Sequence, residues 1–148
     1  MISIKWLGHS AFKVVIQGKT FLVDPWVRNP ASSNKDLEGL NPDYVLVTHG
    51  HGDHLGDTIE ILRRYPSAKA VAIFELASHI AKELGDTSRV IDGNIGGPID
   101  LGEGFFAMLT TATHSSNYGS PTGVVFGKGE EVVYHAGDTG VTYDMQLV

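Results

Sequence analysis

The sequence predicts one layered α/β domain, and three observations support that prediction. Strand-like runs fill both the beginning and the end of the 148-residue chain. In the middle, two segments with apolar residues at helical spacing alternate with short strand-like runs. No repeat, low-complexity tract or linker divides the chain, whose length suits a single domain. Strands and helices in this order are typical of layered α/β proteins.

The first three predicted strands form a meander that is followed by a long loop. Residues rich in β-forming side chains occupy 2–8, 11–16 and 20–24. The third strand ends at Asp24, because a proline follows it. Residues 26–42 carry turn signals and little periodicity, so we predict a long loop there, and loops of that length often have a function.

A βαβα alternation comes next. The predicted order is a strand at 43–48, a helix ending before Pro66, a strand at 68–73 and a helix at 75–85. Either Asp57 or Thr58 caps the first helix, and Gly85 ends the second. The strand at 43–48 is a continuous apolar run of the buried type, and it leads directly into a cluster of histidines.

The remainder of the chain returns to strands. The predicted segments are 89–92, 98–101, 105–114, 122–127 and 131–138. Glycine-containing turns separate the later segments, so the last strand is predicted to be the hairpin partner of the strand before it.

Composition and charge exclude several functions. Hydrophobic residues make up 42% of the chain and charged residues 19%, as in an ordinary globular protein. Eleven basic against 17 acidic residues give a net charge of -6, so we expect no nucleic-acid partner. The chain has no cysteine, so any metal must be held by nitrogen and oxygen ligands. No membrane-length apolar run and no secretory leader is recognisable, so we expect no membrane partner and a cytoplasmic location.

The stretch VTHGHGDHLGD, residues 47–57, concentrates metal-ligand side chains at a strand end. His49 and His51 are two residues apart, so in extended backbone both imidazoles point to the same side. Gly50 and Gly52 are predicted to allow a sharp turn and to keep side-chain bulk away from bound ions.

Asp53 and His54 follow through that turn and suit a second ion. Paired ions about 3.5–4 Å apart are a recurring hydrolytic device. A single histidine is more often structural or exposed to solvent. Three histidines and an aspartate within six residues favour a metal site instead.

The pattern His-x-His-x-Asp-His after an apolar strand resembles the signature of the metallo-β-lactamase superfamily. His114 and Asp138, each at the end of a later strand, match further ligands of that superfamily. The stretches GHS (8–10) and LVDPW (22–26) add to the resemblance. Over nearly its whole length the chain is similar to the UPF0173 metal-dependent hydrolases, relatives of the ascorbate-phosphate lactonases.

The resemblance implies a fold, a two-metal site and a reaction. The fold would be an αββα sandwich whose second half is incomplete in this chain. The implied cofactors are two divalent metal ions, zinc in the first instance, with manganese, iron or nickel as alternatives. A hydroxide between the ions would attack a small ester, lactone or phosphoester, and Asp53 would orient it and take up its proton. The implied ligands are His49, His51 and His114 for the first metal, Asp53 and His54 for the second, and Asp138 as a bridge.

Further residues are predicted to surround these ligands. Asp24 resembles the superfamily's strand-end aspartate that fixes the orientation of a ligand histidine. His9 and His135 lie in family-like stretches, where they either line the pocket or are structural. His79, inside the second helix, is predicted to be structural or exposed. The residues predicted to contact substrate, in the polar loop after the third histidine ligand, are Ser115, Asn117 and Tyr118.

The chain departs from the superfamily pattern in one respect. The superfamily supplies one more histidine to the second metal from a later strand, but no histidine follows His135. We expect residues 1–148 to be a single domain without its C-terminal part, which exposes sheet edges and apolar faces. Completion of the site by water, by a partner chain in a homo-oligomer or by an unusual ligand is the alternative.

Three functions compete on this evidence. A metal-dependent hydrolase with a small-molecule substrate is favoured. A metal-binding fragment or module without turnover is an alternative, because the last ligand is absent. A di-iron oxidoreductase of the same superfamily is disfavoured, because those relatives place a carboxylate at the position of His51 and carry an electron-donor domain.

Overall fold

A computed structural model describes residues 1–148, which form two β-sheets. The strands of the first sheet are β1 (Ile2–Trp6), β2 (Phe12–Ile16), β3 (Lys19–Val23), β4 (Tyr44–Leu46), β5 (Lys69–Ile73) and β6 (Val90–Gly93). They lie side by side in sequence order, antiparallel from β1 to β3 and parallel from β3 to β6. The strands of the second sheet are β7 (Pro98–Gly102), β8 (Phe105–Thr111), β9 (Thr122–Lys128) and β10 (Glu131–His135). This sheet is antiparallel throughout.

Three α-helices accompany the sheets. They are α1 (Gly52–Leu55), α2 (Thr58–Arg64) and α3 (Phe74–Leu84), and single 3-10 turns lie at Thr87–Arg89 and Tyr143–Gln146. Asp57 is the N-cap residue of α2, but its carboxylate accepts the backbone N–H of Arg28 and caps no helix N–H. Gly85 ends α3 in the left-handed region with φ of 72°, as predicted. None of the helices combines the length and the apolar character that crossing a bilayer requires.

The core lies between the two sheets and under the helices. Every residue of β5 from Ala70 onward is buried, so both faces of this strand are covered. Helices α2 and α3 contact β5, and the second sheet reaches it through β8. Across the sheet interface, the ring of Phe21 lies 5.0 Å from that of Phe126 and 6.1 Å from that of Phe105, centroid to centroid. The predicted layered α/β sandwich is confirmed.

The two sheets are joined at the edge where several strands end. The carbonyl of Thr48, just after β4, accepts both the N–H and the hydroxyl of Thr122 at 2.9 and 2.8 Å. The N–H of Asp24, just after β3, donates to the carbonyl of Leu46 at 2.9 Å. Strands predicted at 105–114 and 131–138 end earlier, at Thr111 and His135. His114 and Asp138 therefore lie in loops at this edge.

Candidate metal centre

Three histidines from two loops form the first group of candidate ligands. His49 is fully buried, His51 is half-buried and His114 is exposed. The Nε2 atom of His49 lies 3.2 Å from Nδ1 of His51. The ring of His114 lies 5.2 Å, centroid to centroid, from each of the other two rings. One ligand nitrogen from each histidine lies within 4.8 Å of the others, so the three can face one ion.

A second group surrounds His54, which helix α1 places one turn after His51. Its Nε2 atom lies 3.0 Å from Oδ2 of Asp138 and 3.8 Å from Oδ2 of Asp53. The same Asp138 oxygen lies 3.9 Å from Nε2 of His49 and 3.6 Å from Nε2 of His114. A single carboxylate oxygen thus stands between the two groups.

The buried carboxylate of Asp24 orients one histidine in each ligand group. This carboxylate is fully buried and accepts the N–H of Thr48 at 2.8 Å and the Thr48 hydroxyl at 2.7 Å. It also lies 2.7 Å from Nδ1 of His54. Because a hydroxyl has one hydrogen, Thr48 Oγ1 must accept from Nδ1–H of His49, which is 3.0 Å away. Asp24 thereby keeps the protons of both histidines on Nδ1 and leaves both Nε2 atoms free to bind a cation.

Burial and charge move the pKa values of the two buried histidines in opposite directions. Burial, assisted by the neighbouring His54 and His51, lowers the pKa of His49 to about 4. Burial also lowers the pKa of His54, but the hydrogen bond to Asp24 and the charges of three nearby aspartates outweigh it. The pKa of His54 is therefore raised above its ordinary value.

The donor atoms fit a divalent cation. All of them are imidazole nitrogens or carboxylate oxygens, which suit zinc and related metals. Two ligands bound tetrahedrally to zinc at about 2.0–2.1 Å are separated by roughly 3.3–3.4 Å. The facing nitrogens of His49 and His51, at 3.2 Å, are close to that separation. A neutral His49 whose Nε2 carries no hydrogen presents a lone pair there, as a metal ligand must.

The loop after His114 is fastened to the histidine motif. The backbone N–H of Gly50 donates to the hydroxyl of Ser116 at 3.1 Å, and that hydroxyl donates to the carbonyl of Asn117 at 2.9 Å. A Cβ atom at Gly50 would lie 2.1 Å from that carbonyl oxygen. A Cβ atom at Gly52 would meet nothing within 4 Å. Close packing against protein atoms therefore requires glycine at residue 50 but not at residue 52, while the prediction that both glycines keep side-chain bulk away from bound ions stays a prediction.

The structure places some of the remaining predicted residues beside the candidate metal centre and others away from it. Ser115 lies beside the centre, with its hydroxyl 3.4 Å from Nε2 of His51. Tyr118 is exposed and its ring stacks on that of His79, 3.9 Å away, so His79 supports this loop from helix α3. His135 has both ring nitrogens committed to backbone: Nε2–H donates to Ser10 and Nδ1 accepts from Gly137. It is a structural histidine that faces no candidate ligand.

Sequence reasoning missed two residues that shape the centre. Thr48 links Asp24 to His49, and Ser116 joins the loop to Gly50. The signal for Thr48 was a hydroxyl residue directly before the first histidine. No local signal marks Ser116, because its partner lies 66 residues away in the sequence.

Fold and site together define a class: layered α/β proteins with histidine and aspartate side chains that could hold metal ions at one sheet edge. The family model of the metallo-beta-lactamase superfamily matches residues 4–148, and the chain belongs to that superfamily. It is 51% identical, over 155 residues, to a UPF0173 metal-dependent hydrolase of Staphylothermus marinus. That match covers 100% of this chain and 66% of the relative, so the chain spans just under two thirds of its length. The predicted resemblance is confirmed.

Solved structures show the same fold. Igni18, a novel metallo hydrolase from the hyperthermophilic archaeon Ignicoccus hospitalis, is 39% identical with a TM-score of 0.91. The match covers 99% of this chain and 65% of that one. CmlA, a diiron β-hydroxylase from Streptomyces venezuelae, has a TM-score of 0.71 at 21% identity, over 96% of this chain and 30% of CmlA. The second likeness shows the fold alone.

Proposed function

We propose that this chain carries the metal centre of a hydrolase that uses two divalent ions, zinc in the first instance, to cleave a small ester, lactone or phosphoester. The position of Asp138 supports this proposal most strongly. Its Oδ2 lies 3.9 Å from Nε2 of His49, 3.0 Å from that of His54 and 3.6 Å from that of His114. A carboxylate oxygen between two ligand groups is suited to bridging two ions. The names of the relatives, a metal-dependent hydrolase and a metallo hydrolase, support the same reaction class.

Each group has a proposed role. His49, His51 and His114 would hold one ion, Asp53 and His54 the other, and Asp138 would bridge them. Such ions, when bound, acidify a water molecule and stabilise negative charge on the scissile group. The carboxylate of Asp53 is 41% exposed, so the oxygen that does not bind the ion can orient an incoming water and accept its proton. The exposed loop of Ser115, Asn117 and Tyr118 would contact the substrate.

The test combines metal analysis with a substrate panel. The chain is stripped with chelator and reloaded with zinc, manganese, iron or nickel, and hydrolysis of nitrophenyl esters, lactones and phosphodiesters is measured. We expect two equivalents of metal and hydrolysis that requires them. Two bound metals without turnover would instead indicate a non-catalytic module. Redox-active iron that consumes oxygen would indicate an oxidoreductase.

Replacing His114 with alanine is expected to reduce hydrolysis strongly without unfolding the protein. His114 is exposed, so its removal should change the free energy of unfolding by no more than about 0.5 kcal/mol. Loss of residues that merely support a metal ligand costs about 10–100-fold, so loss of the ligand itself should cost at least as much in kcat/KM. Lys82→Ala is the control, since it truncates an exposed side chain on helix α3 that makes no hydrogen bond or ion pair with the candidate centre or the loop after His114. Equal losses in both variants would contradict the assignment of His114.

As the pH is lowered, we expect the metal ion bound by His54 to be released before the metal ion bound by His49. A metal ion and a proton compete for the same ring nitrogen. Because the pKa of His54 is raised, the proton begins to win this competition at a higher pH than it would at an ordinary histidine. The pKa of His49 is lowered to about 4, so that ring stays neutral and available in mild acid. Metal content measured from pH 8 down to pH 5 should show two separate steps, and His54→Ala should remove the step at higher pH. Simultaneous loss of both metals would contradict this order.

A further inference from the structure

A third cluster of candidate ligands lies beside the second group, and it includes a residue that the proposed ligand set does not use. Nε2 of His9 lies 3.4 Å from Oδ2 of Asp53. The ring of His9 stands edge-on to that of His54, 5.5 Å away and at 76°. One ligand atom from each of His9, Asp53 and His54 lies within 4.8 Å of the others.

We infer that His9 is a protein ligand of the second metal ion, together with Asp53 and His54; this inference rests on the proposed two-metal centre. The 3.4 Å separation of the His9 nitrogen and the Asp53 oxygen is about that of two ligands on one tetrahedral zinc ion. The three side chains come from two segments, the turn after β1 and helix α1, so they surround the site from two sides. With Asp53, His54 and the bridging Asp138, His9 would be a fourth protein ligand of this ion, and it comes from outside the His-x-His-x-Asp-His motif.

The turn that carries His9 is held in place by contacts of its backbone. His9 has φ of 50°, in the left-handed region, and its carbonyl accepts the indole N–H of Trp6 at 2.8 Å. On one side, Gly8 packs so closely on Asn29 that a Cβ atom would lie 2.4 Å from the amide oxygen. On the other side, the carbonyl of Ser10 accepts Nε2–H of His135 at 3.1 Å. The turn is thereby fastened to the end of β10, the strand that precedes Asp138.

A simple ion pair between His9 and Asp53 is the competing explanation. Both side chains are partly exposed, at 35% and 41%, and an exposed pair of this kind would contribute at most about 1 kcal/mol to stability. An ion pair predicts no effect of His9 on metal stoichiometry. A ligand predicts a specific loss at one of two sites.

The experiment measures metal binding to the metal-free chain by calorimetry and follows the imidazole nitrogens by NMR during a zinc titration. His9→Asn is the variant of choice, because asparagine tolerates the left-handed backbone conformation and cannot replace the imidazole. We expect two zinc equivalents in the unaltered chain and a weakening of one of them by at least about tenfold in His9→Asn. The Nε2 resonance of His9 should shift with that same equivalent. Lys82→Ala, which truncates an exposed side chain outside the clusters, should leave both equivalents unchanged.

The outcomes separate this inference from the proposed function. The inference would be overturned if His9→Asn bound both zinc equivalents as tightly as the unaltered chain does, and if the His9 resonance of the unaltered chain did not move during the titration. Binding of only one equivalent by the unaltered chain would overturn it as well. Two equivalents with the expected His9 shift, but no hydrolysis of any substrate, would leave His9 as a ligand and refute the hydrolase.

Discussion

Replacing Asp24 with asparagine is expected to lower the free energy of unfolding of the metal-free protein by about 3–5 kcal/mol, the usual cost of breaking a buried charged pair. The carboxylate is fully buried and accepts hydrogen bonds from Thr48 and His54. Asparagine keeps the shape but replaces one acceptor oxygen with an NH2 group. The NH2 group would face a hydrogen-bond donor of Thr48 or His54, and that buried donor would lose its acceptor. Urea unfolding in chelator measures the change.

The same substitution should also weaken metal binding by about 10–100-fold, because Asp24 sets the tautomers of His54 and, through Thr48, of His49. Asp43→Asn is the matched control. Asp43 precedes β4, at the opposite end of the strand, where its carboxylate accepts one backbone N–H from Thr20 at 2.8 Å. Asp43→Asn should lower the free energy of unfolding by no more than about 1.5 kcal/mol and leave the metal affinity unchanged. Similar effects of the two substitutions would show that Asp24 has no special role.

The elements of the fold were predictable because each has a local signal. The apolar run before the histidines marked the buried strand β4, and Gly85 marked the end of α3. Helix α1 was not predicted, because its four residues form one turn too short to show a helical period. Strand ends were placed too late at His114 and Asp138. Both residues follow β-forming runs, and only the pairing of the strands shows where those runs stop.

The residue types of the candidate metal site were predictable from the sequence, but the contacts that each residue makes were not. His9 and His135 looked equivalent in the sequence, since each lies in a family-like stretch. In the structure, His135 spends both ring nitrogens on backbone partners, while His9 faces Asp53. One of the two partners of His135, Ser10, lies 125 residues away, and no local pattern reports such a contact. Metal-type residues can therefore be found from sequence, but their division into ligands and supports needs the fold.

Replacing Gly50 with alanine is expected to disturb the centre much more than replacing Gly52, although both glycines interrupt the same motif. A Cβ atom at residue 50 would lie 2.1 Å from the backbone oxygen of Asn117, which no side-chain rotation can relieve. The loop that carries His114 must then move away. Overpacking of this kind costs about 1–3 kcal/mol. Because His114 faces His49 and His51, the displacement should also weaken the first metal site by at least about tenfold.

Gly52→Ala is the matched control within the motif. Residue 52 begins helix α1 and has open space around it, so alanine should be neutral or stabilising by at most about 1 kcal/mol. Urea unfolding of the metal-free variants and calorimetry with zinc measure both effects. A Gly50→Ala protein with unchanged stability and two unchanged zinc equivalents would show that the loop is not fastened to the motif. Matching losses in Gly52→Ala would show instead that the motif needs flexibility at both glycines, and that the contact with Asn117 does not decide the effect.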